Sequence, residues 1–384
     1  METPPCLASE AVVRRVELSP PLLGQAEKEA LLRVLDGNWL AMGDRVRDLE
    51  REFAALHGVG HGVAVNSCTA ALHLALAVHG VGPGDEVLVP SLSFVATANA
   101  ALYVGARPVF VDIEDTSRPH MSLEKARAAL TPRTRAVVVM HYGGYLMDMA
   151  PWRAWADAHG LVLVEDAAHA AGLPGVGRHS HASAFSFYSN KNMTTAEGGM
   201  LLVHDDATDK RLRLMRCHGM TSTTLTRDQG HAFQYDVVEA GYNYRMDELR
   251  GAIGLEQLRA LPGRNRRRVA LAGLYRRLLS GHARLSVPFS ADWPQCGHIQ
   301  TVLLPEDADR LRVMARLREA GVQSSIHYRP IHTLSHFRQR ETGRVSLPAT
   351  EAYGARTLTL PLHAAMSDED VSYVIERLDE ALSS

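Results

Sequence analysis

Lys191 stands in Ser186-Phe187-Tyr188-Ser189-Asn190-Lys191-Asn192, after a short apolar run and shortly before Glu197-Gly198-Gly199. One sheet crossing earlier, Val164-Glu165-Asp166 closes another apolar run with two acids. An amine and a carboxylate delivered to one crevice suit carbonyl chemistry. The lysine can form a Schiff base with an aldehyde, and the acid can keep a ring nitrogen protonated so that the ring takes up electrons. These are the two groups that a pyridoxal phosphate enzyme needs. Alone, neither residue says much: a lysine at a strand–loop boundary is usually just solvated, and an aspartate there can cap the next helix.

The elements that must position them are legible as an alternation. Strands are expected over 63–65, 86–90, 108–112, 136–140, 161–165, 182–187 and 200–203, with helices over 70–79, 123–130 and 152–159. Most of the strands are near-continuous apolar runs, the pattern of strands covered on both faces. The fold class is therefore α/β, a large domain with a mostly parallel central sheet. Such sheets bind ligands at the carboxyl ends of their strands, and Asp166 and Lys191 both follow such ends. A smaller C-terminal α+β domain is expected over 263–384, following a large domain over 1–262 that ends with a helix over 246–261 at Pro262-Gly263. It reads as a long helix, a strand over 298–304, a helix over 306–320, a strand over 324–328 and a last helix from Ser367. Ser367 is a good N-cap, with Asp368, Glu369 and Asp370 in the first turn. The polar, irregular stretch from Thr221 to Glu239 reads as a long loop.

Composition narrows the classes further. Hydrophobic residues at 46% and charged residues at 22% are those of a globular protein, and a formal net charge of -2 gives no reason to expect nucleic acid or an acidic membrane. The basic run Arg264-Asn265-Arg266-Arg267-Arg268 reads as a solvated helix face or a subunit contact. Cys6, Cys68, Cys217 and Cys296 form no CxxC pair, which argues against structural zinc or an iron–sulfur cluster and fits a reducing cytoplasm. Met1 to Glu10 lacks the apolar core of a signal peptide, and no run approaches the roughly 20 apolar residues of a membrane span. Of nineteen histidines, His179-x-His181 and His327/His332/His336 are loose groups without carboxylate support, so no metal is expected.

Around the lysine and the acid, further residues suit a phosphorylated planar ligand. Ser67-Cys68-Thr69-Ala70 forms a small-residue turn between a strand and a helix, where backbone N–H groups make an anion site and Thr69 adds a hydroxyl. A plain N-cap would look the same. Ser186 can add another hydroxyl, and Phe94 follows a strand end where it can stack on a flat ring.

Four stretches together resemble the DegT/DnrJ/StrS family of pyridoxal phosphate aminotransferases, the nucleotide-sugar group within fold type I. They are Ser67 to His73, Glu165-Asp166-Ala167-Ala168-His169, Ser186 to Gly199, and Gly241-Tyr242-Asn243-Tyr244-Arg245-Met246. Gly82 to Val87 and His327-Tyr328-Arg329-Pro330-Ile331-His332 extend the match. The resemblance implies that Lys191 holds the cofactor, Asp166 pairs with its ring nitrogen, and His169 sits near the ring hydroxyl. It implies phosphate contacts from Thr69, Ala70 and Ser186, ring stacking by Phe94, and a reach by Asn243 into a neighbouring subunit's site, hence a homodimer. His327 and Arg329 fall where the family approaches its sugar. Cys68 and Ala196 stand where the family commonly has glycine, and neither replacement removes a needed group. The implied reaction moves an amino group from glutamate or glutamine to a keto sugar by a ping-pong path. Alternatives are a keto-cyclitol acceptor of aminoglycoside pathways, a synthase of an aromatic amino acid precursor, and a cofactor-binding regulator without catalysis.

Overall fold

The structure, a computed structural model, describes residues 14–222, 234–340 and 345–383. Its main sheet has seven strands: β1 (His61–Val65), β2 (Glu86–Pro90), β3 (Arg107–Val111), β4 (Thr134–Met140), β5 (Val162–Asp166), β6 (Ala182–Ser186) and β7 (Gly199–Val203). Their order is β1-β7-β6-β5-β4-β2-β3. Only β7 runs antiparallel to its neighbours, β1 and β6. The pairs from β6 across to β3 are parallel. This is the mostly parallel sheet expected from the apolar runs, with all of β2, β6 and β7 buried.

Successive side chains along each strand enter different cores, so both faces must be covered. On one face Val87, Val89, Val138 and Val164 pack with α3 (Cys68–Val78) and α4 (Ala96–Tyr103). On the other, Leu88, Val137, Val139 and Leu163 meet Trp152 and Trp155 of α6 (Met149–His159), which follows the short α5 (Leu123–Ala128). Further along that face Phe185 and Met200 pack with Leu49 and Phe53 of α2 (Asp44–His57), which follows α1 (Gln25–Asp36). α7 (Asp206–Arg216) flanks the β1 edge.

The largest departure from expectation is α8, which runs unbroken over Glu248–Leu278 with Pro262 inside it. An interior proline costs a helix about 3 kcal/mol. Here Leu255, Leu258 and Leu261 are packed in the sheet-side core, and Leu271, Ala272 and Tyr275 in a second core, so both halves are clamped. The division expected at 262/263 therefore lies within a helix and not at a linker. The basic run also lies mid-helix: Arg267 pairs with Asp368, while Arg268 is buried and donates to the Leu362 carbonyl.

Beyond α8 the chain forms β8 (Gln300–Leu303), α9 (Arg310–Glu319), α10 (Ser335–Arg340), α11 (Pro348–Arg356), β9 (Thr357–Leu360) and α12 (Asp368–Ser383). β8 pairs antiparallel with β9, a strand that the apolar pattern did not announce. The stretch 324–328 is not a strand; it makes one isolated bridge, Ser325 to Thr359. β9 takes the place beside β8, which leaves 324–328 to turn toward the main sheet. Ser367 caps α12 as expected, its Oγ accepting the Asp370 N–H at 3.1 Å. The expected loop 221–239 lies partly outside the described residues.

Two small-residue positions let the site-bearing segments meet. A Cβ on Gly199 would lie 2.7 Å from the Cys68 nitrogen, so only glycine lets β7 approach the start of α3 so closely. Ala196 has φ +67°, the left-handed region, which costs a non-glycine residue about 1 kcal/mol. Such a backbone favours glycine, a cost the sequence alone did not expose.

Glu50 of α2 is buried with Arg216 of α7 and accepts the Ala64 N–H of β1 at 2.9 Å. Burial opposes its charge, but Arg216 and Arg213 together hold its carboxyl below the usual range. Arg216→Met should lower unfolding stability by about 3 kcal/mol, because the buried Glu50 carboxylate loses its buried counter-charge and keeps only the half-exposed Arg213. A shift of the urea midpoint equivalent to less than about 1 kcal/mol would show that this network is not a structural tie.

Candidate active site

A cavity of about 440 Å³ opens at the carboxyl edge of the sheet. It is lined by Met140 at the end of β4, Asp166 at the end of β5 and Ser186 at the end of β6, with Phe94 from the segment after β2 and Ser67 and Thr69 at the start of α3. Lys191 enters from the β6–β7 connection. Parallel strands end together, so residues more than a hundred positions apart arrive at one rim.

Asp166 is 3% exposed. Its Oδ2 accepts a hydrogen bond from Thr97 Oγ at 2.6 Å, and its Oδ1 one from the Ala168 N–H at 3.1 Å. The Ser93 and Thr97 hydroxyls lie 2.5 Å apart behind it. Among the described residues Asp166 makes no ion pair, and burial pushes its carboxyl above the usual range despite these donors. Lys191 is half-buried, with its surface turned to the cavity. Desolvation lowers its amine to about 8, with the nearby Asp166 opposing the shift. Its loop is anchored next door: Asn192 donates to Asn265 of α8 at 2.8 Å and to the Cys296 carbonyl at 3.1 Å.

Among the described residues, the start of α3 carries unused donors. Ser67 Oγ takes the Ala70 N–H and the Ser67 carbonyl takes the Ala71 N–H, each at 3.1 Å. The amides of Cys68 and Thr69 remain at the helix mouth. Thr69 therefore faces the cavity, whereas Ala70 is buried with its N–H already engaged. The Ser186 oxygen accepts the Tyr188 N–H at 3.3 Å and keeps its own hydrogen for a ligand.

His169 is buried; its Nδ1 accepts the Gly143 N–H at 3.2 Å, and its Nε2 lies 2.8 Å from the Tyr328 hydroxyl. Desolvation, reinforced by Lys191, His298 and His327, holds its pKa well below the ordinary value. His327 lines the cavity and its Nδ1 lies 2.9 Å from Thr359 Oγ, with burial lowering its pKa to about 4. Arg329 is exposed and does not line the cavity. Asn243 is exposed as well, its carbonyl accepting from Asn66 Nδ2 at 3.3 Å. The structure thus gathers Lys191, Asp166, His169, Thr69, Ser186, Phe94 and His327, and leaves Ala70, Asn243 and Arg329 off the cavity wall of this chain.

Sequence reasoning missed Tyr328 and Thr97. Tyr328 was hidden because 324–328 was expected to be a strand, whose alternation would send His327 and Tyr328 to opposite sides. Both line the cavity. Thr97 lies in the first turn of α4, its hydroxyl meeting that of Ser93 from the irregular segment ahead of the helix, a contact with no signature in the sequence.

The sheet and the lysine–acid rim define the class, an α/β transferase of fold type I. The chain belongs to the DegT/DnrJ/EryC1/StrS aminotransferase family, which matches residues 21–379. The spore coat polysaccharide biosynthesis protein SpsC of Bacillus subtilis (strain 168) is 39% identical over 370 residues, 93% of this chain and 95% of that protein. Helicobacter pylori PseC, an aminotransferase involved in pseudoaminic acid biosynthesis, superposes with a TM-score of 0.89 at 26% identity, over 96% of this chain and 100% of that one. NtdA from Bacillus subtilis, solved with bound cofactor PMP, gives a TM-score of 0.85 at 26% identity over 94% and 83% of the two chains.

A lysine lowered to about 8 is a nucleophile near neutrality. In the protein free of cofactor, the acetylation rate of Lys191 followed by peptide mass spectrometry should rise with pH and reach half its plateau near pH 8. A midpoint at the ordinary lysine value of about 10.4 would remove the desolvated amine from the account.

Proposed function

We propose that the protein is a pyridoxal phosphate-dependent aminotransferase that moves an amino group from glutamate or glutamine to a keto sugar, best a nucleotide-linked keto-deoxysugar. The observation that carries this reading is Lys191, its amine lowered by desolvation, sharing one cavity with a buried Asp166 that has no ion-pair partner among the described residues. A buried carboxylate without a cation is costly, and a protonated ring nitrogen is a cation of the right shape to offset that cost. The idle amides at the start of α3 suit the phosphate in the same way. The sugar class is supported by the likeness to SpsC and PseC.

Pyridoxal phosphate, when bound, supplies an aldehyde for amines and a ring that withdraws electrons from the carbon next to the nitrogen. Lys191 Nζ would hold the aldehyde, yield it to the incoming amine, and then carry a proton from one carbon to the other. Asp166 would keep the ring nitrogen protonated, with Thr97 and Ala168 fixing its carboxylate. Thr69 and Ser186 would hold the phosphate, joined by Ser67 and the Cys68 amide; Ala70 acts through its helix position. Phe94 would cover the ring. His327 is the substrate-side candidate within the cavity, and Arg329 reaches an acceptor only outside it.

A homodimer with shared sites belongs to the same proposal. Phe94 and Tyr188 line the cavity yet are 56% and 49% exposed, an aromatic mouth that suits cover by a second copy. Exposed Asn243, next to Asn66, would then reach the partner's phosphate site. We propose residues 1–262 and 263–384 as the two structural units, joined by α8. The cytoplasm is the proposed location, from the free thiols of Cys68, Cys217 and Cys296; among the described residues no helix is long and apolar enough to cross a membrane.

Borohydride reduction of the cofactor-loaded protein should tag the peptide containing Lys191, and Lys191→Ala should lower turnover by about a thousandfold or more. A tag on another lysine sinks the assignment. Loaded with the amine form of the cofactor, the protein should return to its aldehyde form with nucleotide-linked keto sugars. Return only with keto-cyclitols would transfer the reading to that class of acceptor.

A further inference from the structure

Two hydrogen bonds decide where His169 keeps its proton, and the argument from them rests on the cofactor reading above. The Gly143 N–H can only donate, so Nδ1 of His169 must be an acceptor. A neutral imidazole then carries its hydrogen on Nε2, and Nε2 lies 2.8 Å from the Tyr328 oxygen. The opposite tautomer would set N–H against N–H at Gly143. That turn cannot back away. A Cβ on Gly144 would lie 2.8 Å from both the His169 carbonyl and Cys296 Sγ, so the turn sits flush on the His169 segment.

The Tyr328 oxygen therefore receives a hydrogen from His169, and its own hydrogen must point elsewhere. Among the described residues His169 is its one recorded hydrogen-bond partner, and Tyr328 lines the cavity with Lys191 and Asp166. The two rings lie 26° from parallel at 5.9 Å, which fixes the hydroxyl beside the imidazole edge. We propose that Tyr328, oriented by His169, donates its hydroxyl hydrogen to the oxygen that the cofactor ring carries beside its aldehyde. His169 is then a positioning residue that acts through Tyr328, a different division of labour from the one the family resemblance implies.

The titratable groups facing this pair are Lys191 from the β6–β7 connection, Asp166 from β5, His298 ahead of β8, His327 beside Tyr328, and Tyr142 after β4. Desolvation keeps His298, His327 and Tyr142 uncharged near neutrality. Lys191 and Asp166 are the charges that remain.

The test is an absorbance titration of the protein loaded with pyridoxal phosphate, without donor or acceptor. A hydrogen bond to the ring oxygen draws negative charge away from the protonated nitrogen of the Lys191 linkage, so that nitrogen holds its proton less tightly. Tyr328→Phe should therefore raise the midpoint by about one pH unit, a tenfold change in proton affinity. His169→Leu should move it the same way, while His169→Gln, which keeps an N–H toward Tyr328, should leave it within about 0.3 units. An unchanged midpoint in Tyr328→Phe beside a shifted one in His169→Leu would overturn the proposal and return the ring oxygen to His169. Should Tyr328→Phe not fold, 3-fluorotyrosine at position 328 is a stronger donor and should lower the midpoint; no change would overturn the proposal. A wild-type protein with no visible band on adding cofactor would instead reject the cofactor reading itself.

Discussion

A carboxylate held in a dry place without a cation is the constraint on which this architecture turns. Asp166 ends a fully covered parallel strand, and its two oxygens are met by a threonine hydroxyl and one backbone N–H. Those donors orient it but do not neutralise it, as its raised pKa records. The amine across the cavity is displaced the other way by the same desolvation. Burial thus brings an acid and a base toward each other in proton affinity.

Keeping that pair apart but facing requires stiffness, and the packing supplies it. The sheet is covered on both faces, so the strand ends cannot splay. The Lys191 loop is tied through Asn192 to α8 and to Cys296. α8 is buried in the sheet-side core at one end and in the C-terminal core at the other. The helix that anchors the lysine loop is therefore also fixed in the C-terminal core, while Tyr328 packs beside Tyr142 and Tyr353.

Much of the site was readable before any coordinates, and what escaped shares one cause. Lys191, Asp166, Thr69 and Ser186 each follow a strand end, where a one-dimensional pattern already fixes the direction of approach. Tyr328 escaped because its segment is irregular. The period-2 rule assigns a side only to a strand, and β9 had taken the strand position. Pro262 misled for a related reason: its local cost is real, but two distant cores outweigh it. Ala196 looked harmless because a positive φ leaves no trace in residue type.

By itself the amino-acid order determined the sheet class, the family and the lysine and acid that meet in the cavity, because burial periodicity and strand-end motifs are local properties. Tertiary structure alone decided that Tyr328 meets His169, that Thr97 braces Asp166, and that Ala70, Asn243 and Arg329 lie off the cavity wall. Those outcomes depend on which distant segments compete for the same volume and the same hydrogen-bond donors. Local pattern does not encode that competition; it is settled when the chain closes on itself.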